Sequence, residues 1–137
     1  MCILSYKSKF LASRQGNVYH DRDWCKSGER FAINFLEDNK VTLQPLLSDQ
    51  FVSCMDSGSA ILQASVGDKQ KFELSLNAND DQLAFYNPYQ KKYIVAKEDG
   101  TVRCDSSSRG TNAMFMGWRG GPKDVWVPRE EGRDRKS

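Results

Sequence analysis

Apolar and polar residues alternate along this chain in short runs. The segment "KFELSLN" at 71–77 puts Phe72, Leu74 and Leu76 on one face and Glu73 and Ser75 on the other. "RFAINFL" at 30–36 does the same with Phe31, Ile33 and Phe35. Successive side chains of a strand point to opposite faces, so a period of two predicts half-buried strands. A helix over "ERFAINFLEDNK" at 29–40 is the competing reading; Asn34 and the matching strand further along weigh against it. Between the runs stand "RQGN", "DSGS" and "EDGT", in which glycine supplies the positive φ of a tight hairpin turn. The middle of the chain therefore reads as four short strands, roughly "VTL", "FVSC", "AIL" and "KFELSL".

The pattern repeats. Gly16, Gly58 and Gly100 are spaced 42 and 42 residues apart, and Phe31, Phe72 and Phe115 follow them by 15, 14 and 15 residues. An aromatic residue opens each unit: Phe10, Phe51 and Tyr93. Two landmarks holding one period identify an internal repeat. Four strands cannot bury their apolar face alone, whereas three such units supply about twelve strands around a common axis and can close without exposed edges. A propeller needs at least four blades, so the predicted fold class is all-β, a β-trefoil with pseudo-threefold symmetry. Closure requires Cys2, Ile3 and Leu4 to pair with the last unit near "MFMGW". The alignment also stacks Ser13 on Cys54 and Ala96, and His20 on Leu62 and Cys104, which predicts packed positions. The domain is expected to span 1–128, with repeats of about 2–39, 40–81 and 82–118, then a closing segment, then a disordered charged tail over 129–137.

A chain of 137 residues with 39% apolar and 11% aromatic content suits one globular domain. Its four cysteines, Cys2, Cys25, Cys54 and Cys104, form no Cys-x-x-Cys pair and no zinc pattern. "MCILSYKSKFLAS" is not expected to act as a secretory leader, and no apolar run reaches the length of a membrane span. The expected location is cytoplasmic, and buried free thiols follow from it. Net charge is +2. Residues 1–118 carry 14 basic and 14 acidic side chains, and the last 19 residues carry six and four, so the body is neutral. Nucleic-acid binding needs concentrated cations, which this body lacks.

Catalytic constellations are missing. His20 is the only histidine, and its repeat partners Leu62 and Cys104 mark it as a packed residue. A metal set from His20, Asp23 and Cys25 has no known ligand spacing. No serine occupies a nucleophile elbow, the acidic groups lie in turns, and "RGGP" at 119–122 lacks the Lys-Ser/Thr ending of a phosphate loop. The expectation is a non-enzymatic protein without cofactor or metal.

Two features remain for binding. Lys91, Lys92, Arg103 and Arg109 form a candidate basic patch for an acidic protein surface, against the plainer reading of ordinary solvated charge mixed with Glu98, Asp99 and Asp105. In the tail, Val125, Trp126 and Val127 are strand-like; they either pack across the end of the barrel or bind a partner.

The third unit, "KKYIVAKEDGTVRCDSSSRGTNAMFMGW", resembles the repeat of the fascin and hisactophilin group of actin-crosslinking β-trefoils. The shared string runs through Lys92, Tyr93, Ile94, Ala96, Asp99, Gly100, Val102 and Phe115, with Cys104 in place of a final alanine. "SKFLASRQGNVYHD" is a second match, unit two keeps Phe51, Gly58 and Phe72, and the resemblance covers about residues 2–118. It implies a cytoskeletal module that binds actin filaments, here a monomer. The pH switching of hisactophilin-like proteins relies on many surface histidines, which a single histidine does not supply. The alternative function is a carbohydrate-binding trefoil lectin: the Gln-x-Trp triplet of the ricin type is missing, but Tyr89 and Trp24 lie in turns where they can stack on a sugar. A secreted, heparin-binding growth-factor-like trefoil fits the neutral body less well.

Overall fold

The computed structural model describes residues 1–77 and 82–118. Its strands are β1 (Cys2–Leu4), β2 (Phe10–Arg14), β3 (Asn17–Arg22), β4 (Phe31–Phe35), β5 (Val41–Pro45), β6 (Phe51–Cys54), β7 (Ala60–Gln63), β8 (Glu73–Asn77), β9 (Gln82–Asn87), β10 (Lys92–Ala96), β11 (Val102–Ser106) and β12 (Phe115–Trp118). Single 3-10 turns at Ser27–Glu29, Asp68–Gln70 and Thr111–Ala113 precede β4, β8 and β12, so even the irregular links follow the repeat. No α-helix occurs among the described residues, which removes the helical reading of 29–40.

Six strands close into a barrel. β1 pairs with β12, β12 with β9, β9 with β8, and β4 with β5, all antiparallel. β5 meets β8 through Val41 and Phe72, which exchange two backbone bonds of 2.8 and 2.9 Å. β4 returns to β1 where the Phe31 N–H donates to the Met1 carbonyl at 2.6 Å. Cys2, Ile3 and Leu4 sit opposite Trp118, Gly117 and Met116, the predicted closure. Isolated bridges rather than full ladders join the β4–β5 hairpin at these two seams, so the ring is nearly closed.

The other six strands form three hairpins, β2–β3, β6–β7 and β10–β11. Their turns hold Gly16, Gly58 and Gly100 at φ of +80°, +90° and +91°. At Gly58 the requirement is steric as well as conformational, since a Cβ there would lie 3.0 Å from the Asp105 Cβ.

The core gathers Phe31, Phe72 and Phe115, each no more than 1% exposed, with Ile3, Leu11, Leu43, Val52, Leu83, Phe85 and Ile94 around them. Removing such a side chain from water contributes roughly 1.5–3 kcal/mol. The alternation places the face correctly but overstates its depth. Phe31 and Phe72 are buried, Ile33 and Leu74 half-buried, and Phe35 and Leu76 exposed at 77% and 49%. Barrel strands tilt away from the axis, so a face that begins in the core runs out of it within four residues.

The cysteines overturn the expectation of free thiols. Cys2 bonds Cys25 and Cys54 bonds Cys104, with Cα separations of 6.1 and 5.5 Å. Scattered sequence spacing hides both pairs, because strand pairing and threefold closure bring the partners together. Val125, Trp126, Val127, the closing segment after 118 and the tail over 129–137 lie outside the described residues. No helix among the described residues is long and apolar enough to cross a membrane.

Candidate functional site

The three hairpins meet around the pseudo-threefold axis and border an open hollow of about 700 Å³. Repeat-equivalent triplets line it: Asn17, Ser59 and Thr101; Val18, Ala60 and Val102; Tyr19, Ile61 and Arg103. The apolar triplet is buried. The polar groups contributed by unit three largely satisfy one another. Lys97 lies 3.1 Å from Asp105, Arg103 Nε donates to Asp105 Oδ2 at 3.0 Å, and the Thr101 hydroxyl donates to Asp99 at 2.6 Å. That last bond holds the Asp99 carboxyl below its usual range. On the rim, Lys7 and then Tyr6 lower the Glu98 carboxyl by donating to it, each at 2.9 Å.

His20 belongs to the packing of this region. It is 2% exposed, with Nδ1 at 3.0 Å from the Ser5 hydroxyl and Nε2 at 2.6 Å from the Lys97 carbonyl. A carbonyl only accepts, so Nε2 carries a proton and donates to Lys97. With Cys25 in a disulfide and both His20 nitrogens engaged, the metal set weighed from the sequence has lost two of its three donors.

The four predicted basic residues divide into two kinds. Arg103 is a structural cross-link: besides Asp105 it donates through Nη2 to the Ser57 carbonyl at 3.0 Å, joining the β10–β11 hairpin to the turn of β6–β7. Lys91, Lys92 and Arg109, like Lys26 and Arg30, have no ion pair among the described residues, whereas Lys7, Lys9, Arg14, Arg22, Lys40, Lys69, Lys71, Lys97 and Arg103 each have at least one. Lys91 occupies the turn before β10 at φ +59°, and its N–H donates to the Asn87 carbonyl at 2.7 Å, which fixes the point from which its side chain leaves. Lys92 opens β10, and the next residue, Tyr93, pairs with Ser106 three positions before Arg109. These three residues thus lie at the end of the β10–β11 ladder away from the Gly100 turn. Arg109 lines a hollow of about 600 Å³ with Tyr6, Gln82, Thr111, Met114 and Met116.

The two turn aromatics also differ. Trp24 has Arg22 and Lys26 over its ring, at 5.6 and 5.5 Å from the centroid, so cations already occupy its surface. Tyr89, 57% exposed, has no such neighbour among the described residues.

A designed threefold-symmetric protein, ThreeFoil, superimposes on this chain with a TM-score of 0.73, over 84% of this chain and 94% of that one, at 16% identity. The fold is a β-trefoil. At that identity the likeness concerns the fold alone, and activity has to be argued from sites placed on the trefoil. No protein-family model matches the sequence, and no curated protein does.

Proposed function

We propose that this trefoil is a non-enzymatic interaction module that uses Lys91, Lys92 and Arg109 to bind an acidic protein surface, with actin filaments as the partner. The carrying observation is electrostatic: ion pairs within the fold occupy nine of the 14 cations of residues 1–118, and of the five that have no ion pair among the described residues, Lys91, Lys92 and Arg109 lie together at one end of one ladder, apart from Lys26 and Arg30. A cation lacking an internal partner keeps its attraction for an external carboxylate, while a paired one must first break its own bond. The resemblance of unit three to the fascin and hisactophilin repeat selects actin among acidic surfaces. Arg103 is left out of the contact set, because its guanidinium holds two hairpins together.

The test is co-sedimentation of the whole chain with filamentous actin at low and at physiological salt. Pelleting that weakens as salt rises supports the proposal, since exposed charge pairs are screened within about 8 Å at physiological ionic strength. No pelleting at either salt contradicts it.

A further inference from the structure

Tyr89 stands in the turn between β9 and β10 with a hollow on each side. One, of about 280 Å³, is lined by Gln63, Ser65, Gly67, Asp68, Lys69 and Gln70; the other, of about 300 Å³, by Asp38, Lys40, Asp68, Lys71 and Pro88. Tyr89 and Asp68 are the two residues common to both. The Asp68 carboxylate has no ion pair among the described residues. We propose that Tyr89 and Asp68 form a binding site for a neutral, hydroxyl-rich saccharide.

The frame under the pair is rigid. Asn87 is fully buried, and its Nδ2 donates to the carbonyls of Asp68 and Lys71, both at 2.9 Å. Its Oδ1 accepts from the Gln90 N–H at 2.7 Å. One side chain therefore clamps the turn that carries Tyr89 to the turn that carries Asp68. Gln70, 3% exposed, locks the opposite wall: Oε1 accepts from the Gly67 N–H at 2.7 Å, and Nε2 donates to Ser53 at 2.7 Å and Gln63 at 3.0 Å. A site whose walls are already ordered avoids the entropy of organising them on binding.

Chemistry selects the ligand class. An aromatic face carries negative charge density that favours the polarised C–H groups on one side of a sugar ring. A carboxylate offers only acceptors, matching vicinal hydroxyls, and charge-assisted bonds are the stronger kind. An anionic glycan fits poorly. Lys69 is held by Asp56 at 3.5 Å, and Lys40 and Lys71 by Asp38 at 3.8 and 3.7 Å, so each lysine in the hollows already has an anion while Asp68 would repel a sulfate.

This site does not rest on the cationic surface, and the two fail separately. The whole chain is applied to an array of neutral oligosaccharides with a sulfated set beside it, and the strongest neutral hit is then titrated calorimetrically. Tyr89→Ala and Asp68→Asn are each expected to weaken binding at least tenfold with unchanged melting temperature. Tyr89→Trp and the Lys91→Ala/Lys92→Ala pair should stay within about twofold of the unmodified chain, and Tyr89→Ala should pellet with actin as the unmodified chain does. Hits confined to sulfated glycans, no neutral hit, or a neutral hit indifferent to both Tyr89→Ala and Asp68→Asn would overturn the proposal.

Discussion

The backbone N–H of His20 donates to the carbonyl of Gly100 at 2.9 Å, tying the first hairpin to the third. Leu62 and Gly16 repeat the bond at 2.8 Å, and so do Cys104 and Gly58. The residue four places after each glycine closes onto another unit's glycine, and three such bonds complete a ring. The three side chains at this position differ while their backbone role does not, which explains how histidine, leucine and cysteine share one place in the repeat.

At the first of these junctions the side chain adds its own bonds. Replacing His20 by Ala removes one bond each from the Ser5 hydroxyl and the Lys97 carbonyl, which keep those from the Lys7 and Gly100 N–H groups, and leaves a void, at a cost of about 2–4 kcal/mol. Urea unfolding monitored by tryptophan fluorescence checks this; a loss under about 0.5 kcal/mol would show that the site readmits water or collapses.

The glycines are not equivalent. An added Cβ at Gly16 meets nothing within 4 Å, whereas at Gly58 it meets Asp105 and Arg103 at 3.0 and 3.1 Å. Gly16→Ala should cost about 1–2 kcal/mol for left-handed backbone alone, and Gly58→Ala clearly more. Equal losses in chemical denaturation would contradict the packing described around Arg103.

Phe31→Ala, Phe72→Ala and Phe115→Ala are each expected to cost about 3–5 kcal/mol, and Phe35→Ala less than about 0.5 kcal/mol. Thermal melting of the four variants separates them. A Phe35 variant as unstable as the others would mean that β4 buries its full length.

That contrast marks what the sequence shows and what it does not. The glycine and phenylalanine spacings and the strand alternation were legible because they are local patterns that recur along the chain, and the pairing of β1 with β12 follows from closing the last unit onto the first. Phe35 was misplaced because alternation records direction and not depth. The disulfides were missed because Cys54 and Cys104 approach only after two hairpins dock. Of the two partners of Arg103, a member of the candidate basic patch, Ser57 lies in another unit and Asp105 two residues away. The signal available for Asp105 was its position on the same side of β11 as Arg103, where a short-range ion pair forms.

The cross-links make a graded prediction. Chain-entropy arguments give about 4 kcal/mol for the 50-residue loop closed by Cys54–Cys104 and about 3 kcal/mol for the 23-residue loop closed by Cys2–Cys25. The Cys54→Ser/Cys104→Ser pair should therefore lower the melting temperature more than Cys2→Ser/Cys25→Ser. Thiol titration of the oxidised, denatured chain should find no free thiol; four would contradict both bonds.

Arg14 grips Asp21 through two bonds of 3.1 and 2.6 Å, and this guanidinium is the main cause holding the Asp21 carboxyl below its usual 3.8. A lowered folded pKa stabilises the fold above the unfolded value and ceases to do so as pH falls through the folded one. Because both side chains are more than one-third exposed, solvent screening limits the pair to under about 1 kcal/mol. Arg14→Ala should therefore differ from the unmodified chain at pH 7 and converge with it only as pH falls through the lowered pKa of the folded Asp21. A gap that persists in acid would assign the loss to packing of Arg14 over the Tyr19 ring, 4.2 Å away.

The most direct measurement of the interaction surface compares two charge reversals in actin co-sedimentation. Lys91→Glu/Lys92→Glu/Arg109→Glu should lower the pelleted fraction at least tenfold in apparent affinity, with melting temperature unchanged. Lys9→Glu/Lys40→Glu/Lys69→Glu, an equal change of charge at cations already paired within the fold, should leave pelleting within about threefold of the unmodified chain. Equal loss in both would mean that net charge alone drives association, and no loss in the first would contradict the assignment of binding to Lys91, Lys92 and Arg109.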